Sequence, residues 1–385
     1  MSSRLTRDDV RAMCLELLRG KPGPALPGPA LPGPALPDPS VRVRLLRDGL
    51  QAPSGDVRIQ AAREALEDSV HVALLRDEQR GDGSWGRLHS RDTAARQSIP
   101  TTEWAVERAV AIGLDVSHPI LDAAAAYLAG VVTGRVIPSD PPEKNDRWAT
   151  GVRLFAASTV ARIDPNHPAI DPVWALWHEI ARRTFASGSY SADDEADAHS
   201  ELTGASVRGT YLILSNRYAL SLLAARVDRM DEGLAQAVAR WVWSHPRGVG
   251  YLEAPLSAPP AALPAGILER FLLSHEIVAG FSRIGAPTGP LADWFGEHRR
   301  ADGLWDLGPR ASWTSALPLS ESWRRSDARA IDWTTRILAL ASRWMGHYAP
   351  RKASGLCSEV GRAMLGRSDG PVRRPSGTMK REEIQ

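Results

Sequence analysis

The stretch LLRDEQRGDGSW, residues 74–85, decides the fold because it has the pattern of a helix end followed by a tight turn that a tryptophan anchors. A second copy, WFGEHRRADGLW, covers residues 294–305, where DGLW matches DGSW. Glycine permits the turn, and a tryptophan ring can cover the end of a neighbouring helix. Two copies so far apart indicate one supersecondary unit that recurs along the chain.

A second repeat supports this interpretation. LDVSHPILD at residues 114–122 recurs as IDPNHPAID at residues 163–171, an offset of 163 − 114 = 49 residues, which is long enough for two helices with their loops. Apolar residues recur at helical spacing, whereas the alternation typical of strands is missing. The sequence therefore predicts an all-α chain of five or six antiparallel helix pairs, with helices at 4–19, 56–77, 101–113, 118–133, 147–162, 171–186, 206–226, 231–244, 265–284, 288–299 and 329–345.

The two ends of the chain differ from this helical region. Residues 1–20 predict a short helix, and PGPALPGPALPGPALP at 22–37 repeats a proline-rich unit that blocks helix and sheet hydrogen bonds. We interpret residues 21–40 as a flexible low-complexity linker and 41–350 as the helical domain. Residues 351–385, rich in Gly, Ser, Pro and basic side chains, are expected to be a disordered basic tail.

Composition excludes several classes of protein. The chain has 385 residues, 43% of them hydrophobic and 24% charged, so it can bury a substantial core. A net charge of +2 is far from the concentrated basicity of nucleic-acid binding proteins. Cys14 and Cys357, both in segments that look peripheral, support neither a disulfide framework nor a zinc site. Without a signal pattern or a spanning apolar run, we expect a cytoplasmic protein with no transmembrane segment.

The motif and the helical array together resemble the terpenoid cyclase and prenyltransferase superfamily, whose repeats are called QW motifs. The resemblance covers residues 50–348 and is carried by Leu74, Leu75, Gln79, Gly83 and Trp85, with Arg299 in the glutamine position of the second copy. It implies an (α/α) toroid in which inner and outer helices alternate around a central cavity. It also implies an apolar, isoprenoid substrate, such as a prenyl diphosphate.

The alternation that the resemblance implies makes the inner set 101–113, 147–162, 206–226, 265–284 and 329–345, with all five starts at one end. Partial positive charge at helix N-termini favours an anionic group there. The starts are also rich in acids, arginines and aromatic residues. We expect catalytic roles for Glu103, Asp146, His199, Glu201 and Asp332, and substrate-binding roles for Trp104, Arg147, Trp148, Arg153, Arg208, Tyr211, Trp333 and Arg336.

Metal chemistry is not expected. DDEAD at 193–197 has the DDxxD form of a magnesium-diphosphate site, and Mg²⁺ would enter only if Asp193, Asp194 and Asp197 formed such a site. The second motif of that cage is missing, and we interpret this stretch as an exposed acidic loop. The DxDD phrase of class II cyclases does not occur either. We therefore predict no metal ligands and no cofactor.

Three functions remain open from the sequence. The first is a terpenoid cyclase-like enzyme with a tryptophan-lined cavity and a polar mouth. The second is a non-catalytic toroid that binds an apolar small molecule or a partner peptide. A peripheral contact with a membrane is compatible with both. The third is an (α/α)-barrel carbohydrate-active enzyme that uses two carboxylates, such as Glu103 and Asp146, across a glycosidic bond.

Overall fold

The helical periodicity of the sequence corresponds to fourteen α-helices among the residues that the computed structural model describes, which are 5–20, 36–142, 147–205, 212–284 and 289–346. The helices are α1 Arg7–Leu18, α2 Pro39–Arg44, α3 Val57–Leu66, α4 Val70–Glu78, α5 Thr102–Ile112, α6 Pro119–Val132, α7 Trp148–Ile163, α8 Asp171–Thr184, α9 Ala192–Thr203, α10 Arg217–Ala225, α11 Glu232–Ser244, α12 Ala265–Val278, α13 Gly289–Glu297 and α14 Ser326–Gly346. Short π or 3₁₀ segments lie at Leu45–Gly49, Pro168–Ile170, Val227–Arg229 and Ala279–Ile284.

These described residues contain no strand, so the all-α prediction is confirmed. They belong to one compact unit, Met1–Tyr348. Within the same part of the chain, no helix has the length and apolarity that a membrane crossing demands. Most of the proline-rich repeat and the whole C-terminal tail lie outside the described residues.

Side-chain caps set several helix boundaries that the sequence pattern did not predict. The predicted helix 56–77 is two helices, because the Ser69 hydroxyl accepts a hydrogen bond from Val72 N at 3.2 Å and starts α4 anew. Within the predicted helix 206–226, the described helix begins only at Arg217, where the Asn216 side chain caps the first turn of α10. Helix boundaries predicted from periodicity fail at such positions because a cap interrupts the backbone without changing the apolar spacing.

The acidic stretch at 193–197 was expected to be an exposed loop, and this prediction is wrong. It forms the first turns of α9, where Ser191 is the N-cap and Asp193, Asp194 and Asp197 are exposed. Acidic side chains in a first turn interact favourably with the positive end of the helix dipole. Glu195 and His199 form the buried face of the same helix.

The N-terminal helix is also more deeply packed than expected. α1 contacts α14 and the π segment Leu45–Gly49. The thiol of Cys14 is fully buried there, and this burial raises its pKa to about 12. The expectation that Cys14 is peripheral is therefore wrong, since the alternation of apolar residues in α1 is short and does not reveal what the helix packs against.

The two copies of the tryptophan motif form the same hydrogen bonds. Trp85 Nε1 donates to Leu75 O at 2.9 Å, and Trp305 Nε1 donates to Phe295 O at 2.8 Å. Their backbone N–H groups donate to the hydroxyls of Thr102 and Thr334, each at 3.0 Å. Each tryptophan thus connects the end of the preceding helix, 10 residues earlier, to a threonine of a later helix. That threonine is 17 residues after Trp85 and 29 residues after Trp305.

Residues 79 and 299 play the same part in the two turns although one is Gln and the other Arg. Gln79 Nε2 donates to Gly83 O at 3.1 Å, and Arg299 Nε donates to Gly303 O at 2.9 Å. Gln79 Nε2 additionally donates to Ile120 O in the first turn of α6. The substitution is tolerated because both side chains carry an N–H at a comparable distance from the backbone.

The repeat with the 49-residue offset is confirmed as a pair of equivalent turns. His118 Nδ1 accepts from Ile120 N at 3.2 Å, and His167 Nδ1 accepts from Ala169 N at 3.1 Å. Both histidines are therefore N-caps, followed by proline in the first turn where a missing N–H costs nothing. Their role is structural.

Neighbouring helices follow one another in a regular order. α5 packs against α7, α7 against α10 and α10 against α12. The 3₁₀ segment Ala279–Ile284, which continues α12, contacts α14, and α14 in turn contacts α2, which contacts α5. α6 packs on α7, α8 on α9 and α10, and α11 on α12.

Replacement of Gly83 by alanine is expected to destabilise the protein far more than the same change at Gly188 or Gly303. All three have positive φ, between 82° and 88°, which costs an L residue about 1–2 kcal/mol. A Cβ on Gly83 lies 2.2 Å from the Ala123 carbonyl oxygen, whereas Gly188 has open space and Gly303 meets only the flexible end of Arg299 at 3.2 Å.

Urea unfolding of the three variants measures this difference. We expect G188A and G303A to lose about 1–2 kcal/mol and G83A to lose about 3 kcal/mol more, because the Ala123 backbone cannot move without shifting α6. Equal losses in all three would show that the close approach of the first motif to α6 does not matter.

Candidate functional site

Ion pairs bring together the starts of helices that are far apart in the sequence. Glu103 and Glu107, in the first two turns of α5, both pair with Arg217 in the first turn of α10. Tyr218, the next residue of α10, stands beside them, and its hydroxyl accepts a hydrogen bond from Arg217 Nη2 at 2.6 Å. Together with His89 these four residues form what we call the Glu103 cluster.

His89 connects the cluster to the loop that follows the first tryptophan motif. Its Nδ1 lies 2.9 Å from Glu103 Oε2 and 3.1 Å from the Tyr218 hydroxyl. Its ring stacks on Phe155 of α7, with 4.2 Å between centroids and 23° between planes. Because Nδ1 is directed at Glu103, its N–H donates to that carboxylate, and Nε2 is the nitrogen available to another molecule.

The position of His89 is set by a carboxylate on another loop. Asp140 accepts hydrogen bonds from three consecutive backbone N–H groups, those of Leu88, His89 and Ser90, at 2.5, 2.9 and 2.7 Å. The Ser90 hydroxyl donates to the same carboxylate at 2.9 Å. Three successive N–H groups around one anion hold a loop rigidly. Asp140 therefore positions His89 above the start of α5.

Charge in the cluster is fixed by these contacts. Burial of Glu103 opposes its ionisation, but the Arg217 charge and the hydrogen bond from His89 outweigh it and lower the pKa of Glu103 to about 2. Burial of His89 opposes its charged form, and Glu103 outweighs that effect, so the pKa of His89 is raised above its ordinary value. Glu103 is thus a permanent carboxylate that stabilises an imidazolium at His89.

The cluster combines buried anchors with groups that solvent reaches. The Glu103 side chain is 5% exposed, whereas those of His89 and Arg217 are 30% and 28% exposed. A pair of this kind can exchange a proton with a bound molecule because one partner is held rigidly and the other is accessible. This is the arrangement that makes the cluster a candidate active site.

A second ion-pair group joins α12 to the middle of α14. Arg336 pairs with Glu269 at 2.5 Å and with Glu276 at 2.7 Å, and both arginine and Glu269 are almost fully buried. The loop segment 311–316, which we call the strap, joins this group to the Glu103 cluster. Thr314 Oγ1 donates to Glu269 at 3.0 Å and Ser315 Oγ donates to Glu107 at 2.8 Å.

Several residues predicted from the sequence do face these clusters. Glu103 and Arg336 are central to them, and Trp104 Nε1 donates to Trp313 O of the strap at 3.2 Å. Trp333 is fully buried, and its Nε1 donates to Gly308 O at 2.8 Å. Its ring therefore packs against the loop that leads into the strap.

Other predicted residues lie elsewhere. Glu201 is exposed and pairs with Arg183 on α8, because it belongs to the last turn of α9 and not to the start of an inner helix. His199 is buried against Trp177, 3.8 Å from Glu195, and its burial lowers the pKa to about 4. Neither is described in contact with the Glu103 cluster, since their described partners Arg183, Trp177 and Glu195 lie on α8 and α9.

Asp332 has a structural set of partners. It is fully buried and accepts hydrogen bonds from Leu319 N, Ser320 N and Ser320 Oγ at 2.6, 2.9 and 2.5 Å. Burial raises its pKa to about 6. Its contacts resemble those of Asp140, so we interpret it as the residue that holds the loop before α14.

The remaining predicted residues divide into two groups. Arg147 is buried and donates to Leu212 O at 3.5 Å, Trp148 is partly buried and Arg153 is exposed on α7. Asp146, Arg208 and Tyr211 lie outside the described residues. Within the described part of the chain there is no group of three or more His, Cys, Asp or Glu side chains arranged to hold a metal ion.

The sequence did not predict roles for His89, Glu107, Arg217 and Tyr218. Two signals were available: His89 follows the motif tryptophan by four residues, and Arg217-Tyr218 follows the capping residue Asn216. Neither signal is specific, because loop histidines and first-turn arginines are common. Only their convergence on Glu103 distinguishes them.

Replacement of Glu103 by glutamine is expected to cost about 2 kcal/mol, because the buried carboxylate then no longer accepts its charge-assisted hydrogen bonds from Arg217 and His89, although Glu107 still pairs with Arg217. E201Q is the matched control and should cost less than about 1 kcal/mol, since the Glu201 side chain is 68% exposed. Chemical denaturation of both variants measures the contrast.

The same experiment has a pH dependence whose sign follows from the lowered pKa of Glu103. The contribution of the Glu103 carboxylate to the free energy of unfolding is complete above its ordinary pKa of 4.5. It is lost as the pH falls toward the lowered pKa of about 2. The stability difference between wild type and E103Q should therefore narrow below pH 4.5. A difference that stays constant through this range would contradict the assignment of Glu103 as a permanent anion.

Comparison with known proteins leaves the function to be argued from this geometry. No protein-family model, curated protein or solved structure matches the chain. The likeness to the terpenoid cyclase superfamily consequently depends on the two motif copies, and any statement about chemistry depends on the Glu103 cluster.

Proposed function

We propose that this protein is an isoprenoid-handling enzyme of the terpenoid cyclase type, in which His89 removes a proton from a carbon atom of an apolar substrate. The observation that carries the proposal is the His89–Glu103 pair, with 2.9 Å between Nδ1 and Oε2 and a partly exposed imidazole ring. The substrate class is taken from the resemblance of the repeated motif.

The proposal includes an (α/α) toroid in which α5, α7, α10, α12 and α14 are the inner helices. The order of helix contacts, from α5 through α7, α10 and α12 to α14 and then by way of α2 back to α5, supports it. The ion pair between the first turns of α5 and α10 also supports a shared end for these two helix starts, and the Glu269–Arg336 pair supports the adjacency of α12 and α14. Residues on these faces would then line one interior.

The proton-transfer role follows from the protonation states. A carboxylate hydrogen-bonded to Nδ1 orients an imidazole ring and stabilises the cation that forms when Nε2 accepts a proton. Deprotonation of a carbon beside a carbocation requires only such a moderate base. Protonation of an unactivated alkene requires a much stronger acid, and the chain has no DxDD phrase for that purpose.

The reaction is balanced without an oxidant. A carbon–oxygen bond of the substrate breaks and its electron pair leaves with the oxygen group, which generates a carbocation. The electrons of a neighbouring C–H bond then form a C=C bond while the proton passes to His89 Nε2. Phe155, which is fully buried, stacks on the ring of His89 and keeps it in place during the transfer.

The carbohydrate-active alternative has less support from the described geometry. It uses two carboxylates that face a scissile bond with room between them. Glu103 is instead occupied by Arg217, His89 and Tyr218, and Asp146 lies outside the described residues.

Incubation of the purified protein with prenyl diphosphates of increasing chain length, with and without magnesium, tests the proposal, and squalene, which has no leaving group, is the negative control. We expect a hydrocarbon product from at least one diphosphate and none from squalene. H89A should lower kcat by about 10²–10⁴-fold, the usual contribution of a general base. The matched control is H118A, because His118 forms a similar pair with Glu67 at 2.8 Å away from the cluster.

The pH profile gives a readout that a structural role would not produce. A base must be neutral to accept a proton, so kcat should rise with pH through the raised pKa of His89. In E103Q this rise should move to lower pH and the maximum rate should fall. Absence of product from every substrate, or H89A as active as H118A, would count against the proposal.

A further inference from the structure

Arg108 is a buried arginine whose hydrogen-bonding capacity is largely unused. Its side chain extends from α5 on the same face as Trp104, one turn later, and the residue is 5% exposed. Nη1 donates to the Ser315 carbonyl at 3.3 Å, and Nη2 has no partner among the described residues. Burial of a guanidinium without a matching anion is strongly unfavourable.

The carboxylates near Arg108 do not supply that anion. Asp332 attracts Arg108 electrostatically, but its oxygens accept hydrogen bonds from Leu319 and Ser320. Glu107, the preceding residue of α5, is used by Arg217, Arg162 and Ser315. No described hydrogen bond joins either carboxylate to Arg108.

Two further cations act on Arg108. Its burial, followed by repulsion from Arg310 and Arg44, lowers the pKa of the guanidinium to about 9. Arg44 is paired with Asp48, whereas the described partner of Arg310 is the Ala311 carbonyl of the strap at 3.3 Å. His71 adds no further positive charge, because burial and the Arg108 charge lower its pKa to about 3.

The contrast with Arg336 shows what is missing. Arg336, on α14, is buried to the same degree, and it has two carboxylate partners, Glu269 and Glu276. The charge of Arg336 is therefore neutralised, whereas the described hydrogen bond of Arg108 goes to a carbonyl. A backbone carbonyl neutralises a fraction of a charge, whereas an oxyanion neutralises all of it and can bond both terminal nitrogens.

We propose that Arg108 and Arg310 form an anion-binding site for a phosphate or diphosphate group. The anion takes the place of the Ser315 carbonyl at Arg108 and enters from the side of Arg310, which is partly exposed. The strap moves outward in the process, and its single hydrogen bonds to Trp104, Glu107 and Glu269 are exchanged for the bidentate contact. This site is independent of whether His89 transfers a proton.

Calorimetric titration of the full chain at constant ionic strength tests the site with three probes: inorganic phosphate, inorganic diphosphate and geranyl diphosphate. We expect diphosphate to bind, and Arg108→Lys, which keeps the charge but loses the planar fork, to weaken binding by about tenfold to a hundredfold. Arg108→Met should abolish it. Arg240→Met, on the exposed face of α11, is the control for loss of one positive charge and should bind as wild type does.

Thermal unfolding without ligand supplies an independent measurement. Arg108→Met removes an uncompensated buried charge, so we expect its Tm to rise above wild type. Arg336→Met leaves Glu269 and Glu276 without a partner and should lower Tm. Addition of diphosphate should raise the Tm of wild type and leave that of Arg108→Met unchanged.

Two outcomes would overturn the proposal. One is the absence of diphosphate binding to wild type, and the other is undiminished binding to the Arg108 variants. Tighter binding of geranyl diphosphate than of inorganic diphosphate would identify the anion as part of an apolar molecule, and equal affinity would identify a free anion. A protein that binds diphosphate but forms no product would sustain this site while the proposed function failed.

Discussion

The structure depends on the pairing of charges that its helices carry into the interior. Glu103 with Arg217 and Glu269 with Arg336 each join helices that are about 70 to 110 residues apart. A buried carboxylate or guanidinium is strongly unfavourable without a partner of opposite charge or a full set of hydrogen bonds. These pairs therefore restrict which helices can stand side by side, more tightly than apolar packing does, because hydrophobic contact has no direction.

The repeated turns solve a different problem, which is how to end one helix and begin another without leaving polar groups unsatisfied. In both copies the tryptophan ring donates to the last turn of the preceding helix, while its backbone N–H meets a threonine of a following helix. The ring also covers the apolar surface between them. The tryptophan thus satisfies a backbone carbonyl and also covers apolar surface of the core. This double role explains why the motif recurs although the two copies share few other residues.

The candidate active site lies where the buried ion pairs meet the loops that follow the tryptophan motifs. The loop after the first motif delivers His89 to the start of α5, Asp140 holds that loop, and Glu103 accepts the imidazole N–H. The second motif is followed by a longer loop that reaches the same region as the strap. Equivalent turns therefore bring unlike loops together, and the difference between the loops is where function can reside.

Sequence by itself determined the helical class, the two equivalent motif turns and the equivalent turns of the 49-residue repeat, because these depend on residues close together in the chain. It also pointed to Glu103 and Arg336. It did not reveal His89, Arg217 or Tyr218, and it assigned roles to Glu201 and Asp332 that their contacts do not support. Only the tertiary structure decided which polar residues converge, since an ion pair across 114 residues leaves no local pattern, whereas a cap or a turn does.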